Sequence, residues 1–316
     1  MCHNYHVRRR KPTLDIVSSA LNESSNIENF YAALKKHLDK SGYQWRLLIA
    51  DNGSEDDTWT IIKNLANSNS NVVGIKLARN FGFEYAIEAV LTLSKADASI
   101  IMASDLQDHP KYLHIFLKHF ESGADHVFQL VKSRPGVSLT RRINTKLFYF
   151  FASKFSRKSI IPNAGDFRLI SKKFRNALNE LPEKTRFLRA MAVYPGFKNV
   201  AIEVPREYRV KGRSKTHLTY ALTLGIKGVL ANSIYLIDML GLFSIIFSVF
   251  TSLLILVFAI LWIFIGVPFG GFGTIVGIML VGFSMVFICF GILAQYISLI
   301  FVEVKKRPNY FITEKI

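Results

Sequence analysis

Ile100–Pro110, IIMASDLQDHP, is an apolar run that opens into a polar loop carrying Asp105, Gln107 and Asp108. The run reads as a β-strand and the polar residues as its carboxyl-terminal loop. In open α/β sheets, ligands bind just beyond the carboxyl ends of the strands. Two carboxylates and an amide at that point can hold a divalent cation through oxygen ligands, with Mg²⁺ or Mn²⁺ the matching ions. A cation there would neutralise a diphosphate. Asp105 and Asp108 would equally serve as caps for the helix that follows, because Asp before an X-Pro break is common at helix starts. This stretch alone leaves both readings open.

The flanking sequence alternates between strand and helix patterns. Leu14–Ala20 is a short apolar strand, and Ile27, Phe30, Tyr31, Leu34 and Leu38 then recur at helical spacing as far as Lys40. Trp45–Ala50 is a second strand, ending in the acidic turn Asp51–Asp57, and the next helix has Trp59, Ile62 and Leu65 on one face. Val72–Leu77 is a strand, Phe83–Ser94 a helix, Ala98–Ala103 a strand, Lys111–Glu121 a helix and His126–Val131 a strand. Such alternation with short connections predicts an α/β domain with a mostly parallel, doubly wound sheet. Polar loops fall at the carboxyl ends of the first, second and fourth strands.

Beyond Lys132 the rhythm changes. Thr140–Phe155 mixes Arg141, Arg142, Lys146 and Lys154 with five large apolar residues from Leu147 to Phe151, a composition suited to a helix at a membrane surface. From Met239 to Val302 there is no Asp, Glu, Lys or Arg, and the run GVPFGGFG at Gly266–Gly273 interrupts this stretch near its middle. A single span needs ~20 apolar residues, so two transmembrane helices joined by a tight turn are expected. Small residues such as Gly277 and Gly282 would suit association into a homo-oligomer.

The net charge of +17 gathers in Arg8–Lys11, Lys132–Lys158, Lys172–Arg189, Arg206–Lys227 and Lys305–Arg307. Basic residues beside apolar spans read as cytoplasmic flanks facing anionic lipid, not as a nucleic-acid surface. Both termini and the α/β domain are therefore expected on the cytoplasmic side, with a bacterial inner membrane as the setting. Cys2 and Cys289 are the only cysteines, which excludes a disulfide framework and a cysteine-based zinc site. The N-terminus is basic without an apolar signal core. The expected organisation is a basic tail at 1–13, the α/β domain at 14–215 and a juxtamembrane amphipathic helix at 216–235. The two spans follow at 236–303, with their turn near 266–273, and a cytoplasmic tail occupies 304–316.

The ordered motifs resemble a known family. Asn22-Glu23 after the first strand, DNGSEDDT, LARNFGFEYAI, SDLQDHP, GDFRLIS, EKTRFLRAM and YRVKGRSK, followed by two spans, look like the family-2 polyprenyl-phosphate glycosyltransferases. These include dolichyl-phosphate mannose synthases and bacterial undecaprenyl-phosphate glucosyltransferases of the GtrB type. The resemblance runs from Leu14 to about Val302 in one order.

It implies a GT-A domain that binds a nucleotide-sugar and a divalent cation, Mg²⁺ or Mn²⁺. Such an enzyme transfers the sugar, with inversion, to a polyprenyl phosphate at the cytoplasmic face. Carried over by position, Asn22, Glu23, Asp51, Arg79 and Asn80 border the nucleotide-sugar. Asp105 and Gln107 match metal and diphosphate ligands. The resemblance puts Asp166 at an active-site position without a specific role: it either faces the sugar to orient or deprotonate the acceptor, or pairs with Arg168 or a neighbouring Arg as a structural ion pair. Arg186, Arg189, Arg209 and Lys215 are the cations expected to hold the acceptor phosphate. Asp108 and His109 are left out of this set.

The chain also departs from the family pattern. Ala103 stands where the loop usually has its first Asp, Asn52 replaces the second Asp of the turn, SSALNE lacks the usual proline, and Asn163 replaces an Asp. Ala103 keeps open an alternative, a non-catalytic GT-A membrane protein acting as a partner or scaffold in glycan assembly. A processive polysaccharide synthase would carry more spans and a QxxRW motif, and the sequence has neither.

Overall fold

The structure, a computed structural model, describes residues 12–131, 161, 164–181, 196–207 and 272–316, with scattered positions between 242 and 264. The first half alternates as its pattern predicts: β1 (Thr13–Ala20), α1 (Ser24–Leu38), β2 (Gln44–Asp51), α2 (Thr58–Ser68), β3 (Val72–Leu77), α3 (Phe83–Leu91) and β4 (Ala98–Ile101). A 3₁₀ turn at Pro110–Tyr112 leads into α4 (Leu113–Glu121), and β5 (His126–Leu130) follows. Then come β6 (Ala164–Ser171), α5 (Lys172–Glu180), β7 (Asn199–Glu203), a long α6 (Phe272–Lys305) and β8 (Ile312–Lys315).

The strands make one eight-stranded sheet in the order β7-β5-β6-β4-β1-β2-β3-β8. β4, β1, β2 and β3 are parallel neighbours, and β5 runs parallel to β7. β6 is antiparallel between β4 and β5, and β8 is antiparallel on the β3 edge. The sheet is therefore mixed and mostly parallel.

Side-chain alternation along each strand divides the core into two layers. Leu14, Ile16, Leu47, Ile49, Ile100, Phe167 and Leu169 face one side and pack with Phe30, Leu34, Ile62 and Phe116 from α1, α2 and α4. Val17, Leu48, Ala50, Ile101 and Ile170 face the other, against Ala86, Ile87 and Val90 of α3 and Phe174 of α5. Helices on both faces keep the parallel strands dry, which is why those strands are near-continuous apolar runs. The amino-terminal end of the sheet is pinned by polar contacts. Asp15 is buried and takes a two-pronged contact from Arg46 at 2.9 Å and the Ser94 hydroxyl at 2.7 Å, and buried Arg175 donates to Ser94, Ser99 and the Ala96 carbonyl.

Two elements differ from the sequence expectation. The expected tail at 304–316 contains a sheet strand: β8 pairs with β3, and beyond it Gly74 and Ile316 exchange backbone hydrogen bonds at 2.9 and 3.0 Å. Gly74 accommodates this because a Cβ there would lie 2.6 Å from Ile62 and 3.2 Å from Ile316. For the membrane, α6 has 34 residues. Within it Val281–Lys305, whose most apolar 18-residue window has a mean hydropathy of 2.4, is long and apolar enough to cross a bilayer. Its large apolar side chains, among them Ile275, Phe283, Phe287, Phe290 and Ile297, are exposed. It is the one helix of that kind among the described residues. Of the first span only scattered positions are described, and these are helical. Phe272 and Gly273, expected in the turn, already belong to α6. The N-terminal residues 1–11, the aromatic-basic stretch Thr140–Phe155 and the juxtamembrane segment 216–235 lie outside the described residues.

His126 on β5 gives the fold a pH dependence. Its ring stacks between Phe128 and Phe174, each at 5.0 Å, and contacts the Asn199 side chain at 2.8 Å. Burial, with the nearby Arg168 charge, lowers its pKa to about 3, against a smaller opposing effect of the Asn199 contact. The native imidazole therefore stays neutral, while the unfolded chain takes up a proton below about pH 6.5. Stability should fall as the pH drops from about 6.5 toward 3, by at most about 1.4 kcal/mol per pH unit from this group. Melting curves between pH 7.5 and 5 check this: His126→Phe should lose less on acidification than the wild type, and equal slopes would exclude His126 as the cause.

Candidate functional site

The chain leaves β1 toward β2 and β3 on one side, while β4 lies on the other. The strand order therefore reverses between β1 and β4, a topological switch point, where open α/β sheets place their ligands. Two groups of predicted residues meet there.

The first group lies after β1, β2 and β3. Asp51 ends β2, in register with Ala20 of β1 and Lys76 of β3. Its Oδ1 accepts from the Ser54 amide at 3.1 Å, while Oδ2 is buried without a hydrogen-bond partner among the described residues. Burial raises the Asp51 pKa, and the Ser54 hydrogen bonds and Lys76 oppose that rise. A buried acceptor left open at a sheet end is suited to a donor hydroxyl or amide from a ligand. Asn22 has φ 52° and ties the first loop to the second, taking the Glu55 amide on Oδ1 while its own amide donates to Ser54 Oγ, both at 2.8 Å.

Asn52 joins the third loop through bonds from its Nδ2 to Asn80 at 3.2 Å and from the Phe81 amide to its Oδ1 at 3.0 Å. Gly53, at φ 72°, has no room for a side chain, because a Cβ would lie 2.5 Å from the Arg79 carbonyl carbon. The structure thus brings Asn22, Asp51 and Asn80 into one linked set of loops. Arg79 is exposed, with its guanidinium 4.4 Å from the centre of the Phe81 ring. Glu23 begins α1 and accepts from Asn26 Nδ2 at 2.5 Å, so its carboxylate serves the helix start.

The second group lies after β4. Ser18 donates to the Met102 carbonyl at 2.8 Å and Ser104 to the Ser19 carbonyl at 3.0 Å, which latches this loop to the end of β1. Asp105 is buried, and its Oδ1 accepts from the Gln107 amide at 3.1 Å across Leu106. Leu106 sits at φ 61° with its side chain in the main core. A left-handed leucine costs about 1 kcal/mol or more and persists only where its surroundings hold it.

The helix-cap reading of the two aspartates does not hold: the cap is His109, whose Nδ1 accepts from the Lys111 amide at 3.1 Å. Asp108, omitted from the expected site, is fully buried. Among the described residues neither of its oxygens has a well-formed hydrogen bond, although the Ala103 amide faces it. Burial raises its pKa to about 6, with Asp105 and Asp166 adding to the rise and Arg206 opposing it. Arg206 Nε lies 3.6 Å from Asp108 Oδ1.

Asp166 is half-buried on β6, two residues past the last β4–β6 pair, Ile101 with Arg168, and therefore level with Ala103. Gly165 before it has no room for a side chain, since the Gln129 amide oxygen occupies the Cβ position. Asp108 and Arg206 are the site residues that sequence reading missed. They are far apart in the chain, and no local spacing signals their contact.

These oxygens fit a cation only in part. Among the described residues no group of three or more His, Cys, Asp or Glu is arranged to hold a metal ion. Asp105 and Gln107 are hard oxygen donors on one loop, suited to an ion that completes its coordination with substrate oxygens. Arg186, Arg189, Arg209 and Lys215, the expected acceptor cations, lie outside the described residues.

Comparison with known proteins follows the same pattern. The model for "Glycosyl transferase family 2" matches residues 15–178, a stretch that includes Asn22, Glu23, Asp51, Arg79, Asn80, Asp105, Gln107 and Asp166. The chain is 33% identical over 305 residues to the putative glycosyltransferase CsbB of Bacillus subtilis (strain 168), covering 95% of this chain and 91% of that protein. It is 30% identical over 307 residues to the SfII prophage-derived bactoprenol glucosyl transferase of Shigella flexneri, covering 95% and 97%. Among solved structures, glucosyl-3-phosphoglycerate synthase from Mycobacterium tuberculosis, in complex with Mn²⁺, uridine-diphosphate and glucosyl-3-phosphoglycerate, superposes with a TM-score of 0.52. It is 18% identical and covers 70% of this chain and 80% of that one, a likeness of fold. With a GT-A sheet, a family match across more than half of its length and relatives aligned along nearly all of it, this chain is a glycosyltransferase that belongs to glycosyl transferase family 2.

Proposed function

We propose that the protein transfers a hexose from a nucleotide-sugar to the phosphate of a polyprenyl lipid, with inversion, at the cytoplasmic face of the membrane. The observation that carries this reading is the gathering of Asp105, Asp108 and Asp166 beyond the β4–β6 pair, in a chain that continues into an apolar helix of bilayer-crossing length. The similarity to a bactoprenol glucosyl transferase along 95% of the chain supports the lipid acceptor. In this reading residues 14–215, with β8 added, form the catalytic unit. Residues 216–235 lie along the membrane, and 236–303 span it twice.

Each residue then has a part. Asp51 receives the nucleoside through its open oxygen, with Asn22, Glu23, Arg79 and Asn80 shaping the surrounding loops. Asp105 and Gln107 hold the divalent cation, Mg²⁺ or Mn²⁺, which when bound supplies positive charge to the leaving diphosphate. An acceptor phosphate oxygen attacks the anomeric carbon from the face opposite the nucleotide. The new C–O bond forms as the bond to the nucleoside diphosphate breaks, and the electron pair leaves with the diphosphate. A phosphate monoester is already anionic near neutral pH and needs little help from a base. Asp166 therefore serves to orient it, and Arg186, Arg189, Arg209 and Lys215 neutralise it.

Ala103 does not empty the site of carboxylates, since Asp166 stands level with it. That placement favours the enzyme over a scaffold. The deciding experiment is a panel of UDP- and GDP-sugars with polyprenyl phosphate, using the full chain in detergent with Mn²⁺, Mg²⁺ or EDTA and scoring lipid-linked product. Product with a cation and none in EDTA is expected. Absence of product with every donor would favour the scaffold, and full activity in EDTA would remove the cation from the mechanism.

A further inference from the structure

We propose that Asp108 and Arg206 are positioning residues, an ion pair with its carboxylate buried and its guanidinium partly exposed, that holds the Asp105–Gln107 loop in the shape that receives the donor's diphosphate. The proposal rests on reading that loop as the diphosphate site. The loop is bent through a left-handed Leu106, so its shape must be imposed from outside. One side is fixed by the Ser18 and Ser104 hydroxyls on β1 and the loop itself.

The other side is fixed by two consecutive residues that follow β7. The Glu207 amide donates to the Gln107 carbonyl at 3.0 Å. The Glu207 carboxylate takes Lys111 Nζ at 2.6 Å and the Tyr112 hydroxyl at 3.1 Å, where the loop passes into α4. Arg206 reaches inward to Asp108.

The two ion pairs differ in weight. Lys111 and Glu207 are well exposed, so water competes for both and their pairing contributes little. Asp108 is buried, and among the described residues its oxygens lack well-formed hydrogen bonds and Arg206 is the cation that faces it. Removing one member of such a pair leaves the other uncompensated away from water, which is far more disruptive than loss of a surface pair. The disturbance falls on Gln107, the neighbour of Asp108, and on the backbone that Glu207 holds. Partners behind a ligand loop typically change ligand affinity by about 10- to 100-fold.

The test uses the full chain in detergent, with Mn²⁺–UDP and Mn²⁺–GDP titrated by calorimetry and melting temperature measured in parallel. Asp108→Asn and Arg206→Gln should each weaken whichever nucleotide binds by at least about 10-fold. Arg206→Lys, which keeps the charge, should recover part of that loss. The double variant should bind no more weakly than the poorer single, because the pair acts as a unit. Should Asp108→Asn fail to fold, the two Arg206 variants carry the same comparison. Folded variants with lowered melting temperature but wild-type nucleotide affinity would overturn the proposal alone, leaving a purely structural pair. Wild-type protein that binds neither nucleotide would overturn the reading of the loop and the proposal with it.

Discussion

Asp105→Asn is expected to lower sugar transfer by about 1,000-fold, on the order of 4 kcal/mol of transition-state stabilisation, while leaving the protein folded. Asparagine keeps the side-chain oxygen that accepts from the Gln107 amide at 3.1 Å, so the turn over Leu106 survives. What disappears is the negative charge on which a cation at this loop depends. Lipid-linked product should fall in proportion, and Mn²⁺-dependent nucleotide binding should weaken with it. Unchanged turnover would separate Asp105 from the chemistry. Ala103→Asp makes the complementary change. It adds a carboxylate level with Asp166 and close to the acidic loop, so like-charge repulsion should lower the melting temperature in EDTA while Mn²⁺ restores it. A wider gap between the two melting temperatures than in the wild type is the expected readout.

The parts of this fold legible in the sequence are those written in local periodicity. β1 to β5 and their helices are short, follow one another with brief connections and carry apolar runs that fit strands covered on both faces. The loops after β1, β2 and β4 were placed correctly because the carboxyl ends of parallel strands share one edge. Other features needed long-range pairing. GDFRLIS was read as a motif, yet it is β6, inserted antiparallel between β4 and β5, and that insertion is what brings Asp166 level with Ala103. Asn199–Glu203 alternates too weakly to announce a strand and becomes β7 by pairing with β5.

β8 follows the long apolar helix and carries Thr, Glu and Lys, a composition that reads as tail until the β3 edge is seen waiting for it. At the site, Asp108 was left out of the expected set although the loop that carries it was singled out. Its burial depends on a chain segment that arrives after β7, and Arg206 was passed over for Arg209 and Lys215 for the same reason.

Asp166→Asn should separate the acceptor step from donor binding. Asp166 lies on β6 past its last pair with β4 and between two positions paired with β5, so the sheet holds it in place. Its charge reaches Asp108 on the Asp105 loop, whereas the Asp51 and Asn22 loops proposed for the nucleoside are tied to each other through Ser54 and Glu55. A group in that place acts on the sugar and its attacker, so nucleotide affinity should change by less than about threefold. The rate of transfer should fall by about 100-fold, the usual consequence of losing alignment by about an ångström. The pH profile distinguishes orientation from proton removal. If Asp166 orients an acceptor that is already ionised, the asparagine variant should keep the wild-type profile at a lower rate, because the phosphate's own ionisation sets the acidic limb. If Asp166 removes a proton, the variant should instead gain rate steadily with pH as hydroxide takes over. Undiminished turnover in Asp166→Asn, or a loss of nucleotide affinity as large as the loss of rate, would remove Asp166 from the acceptor side of the site.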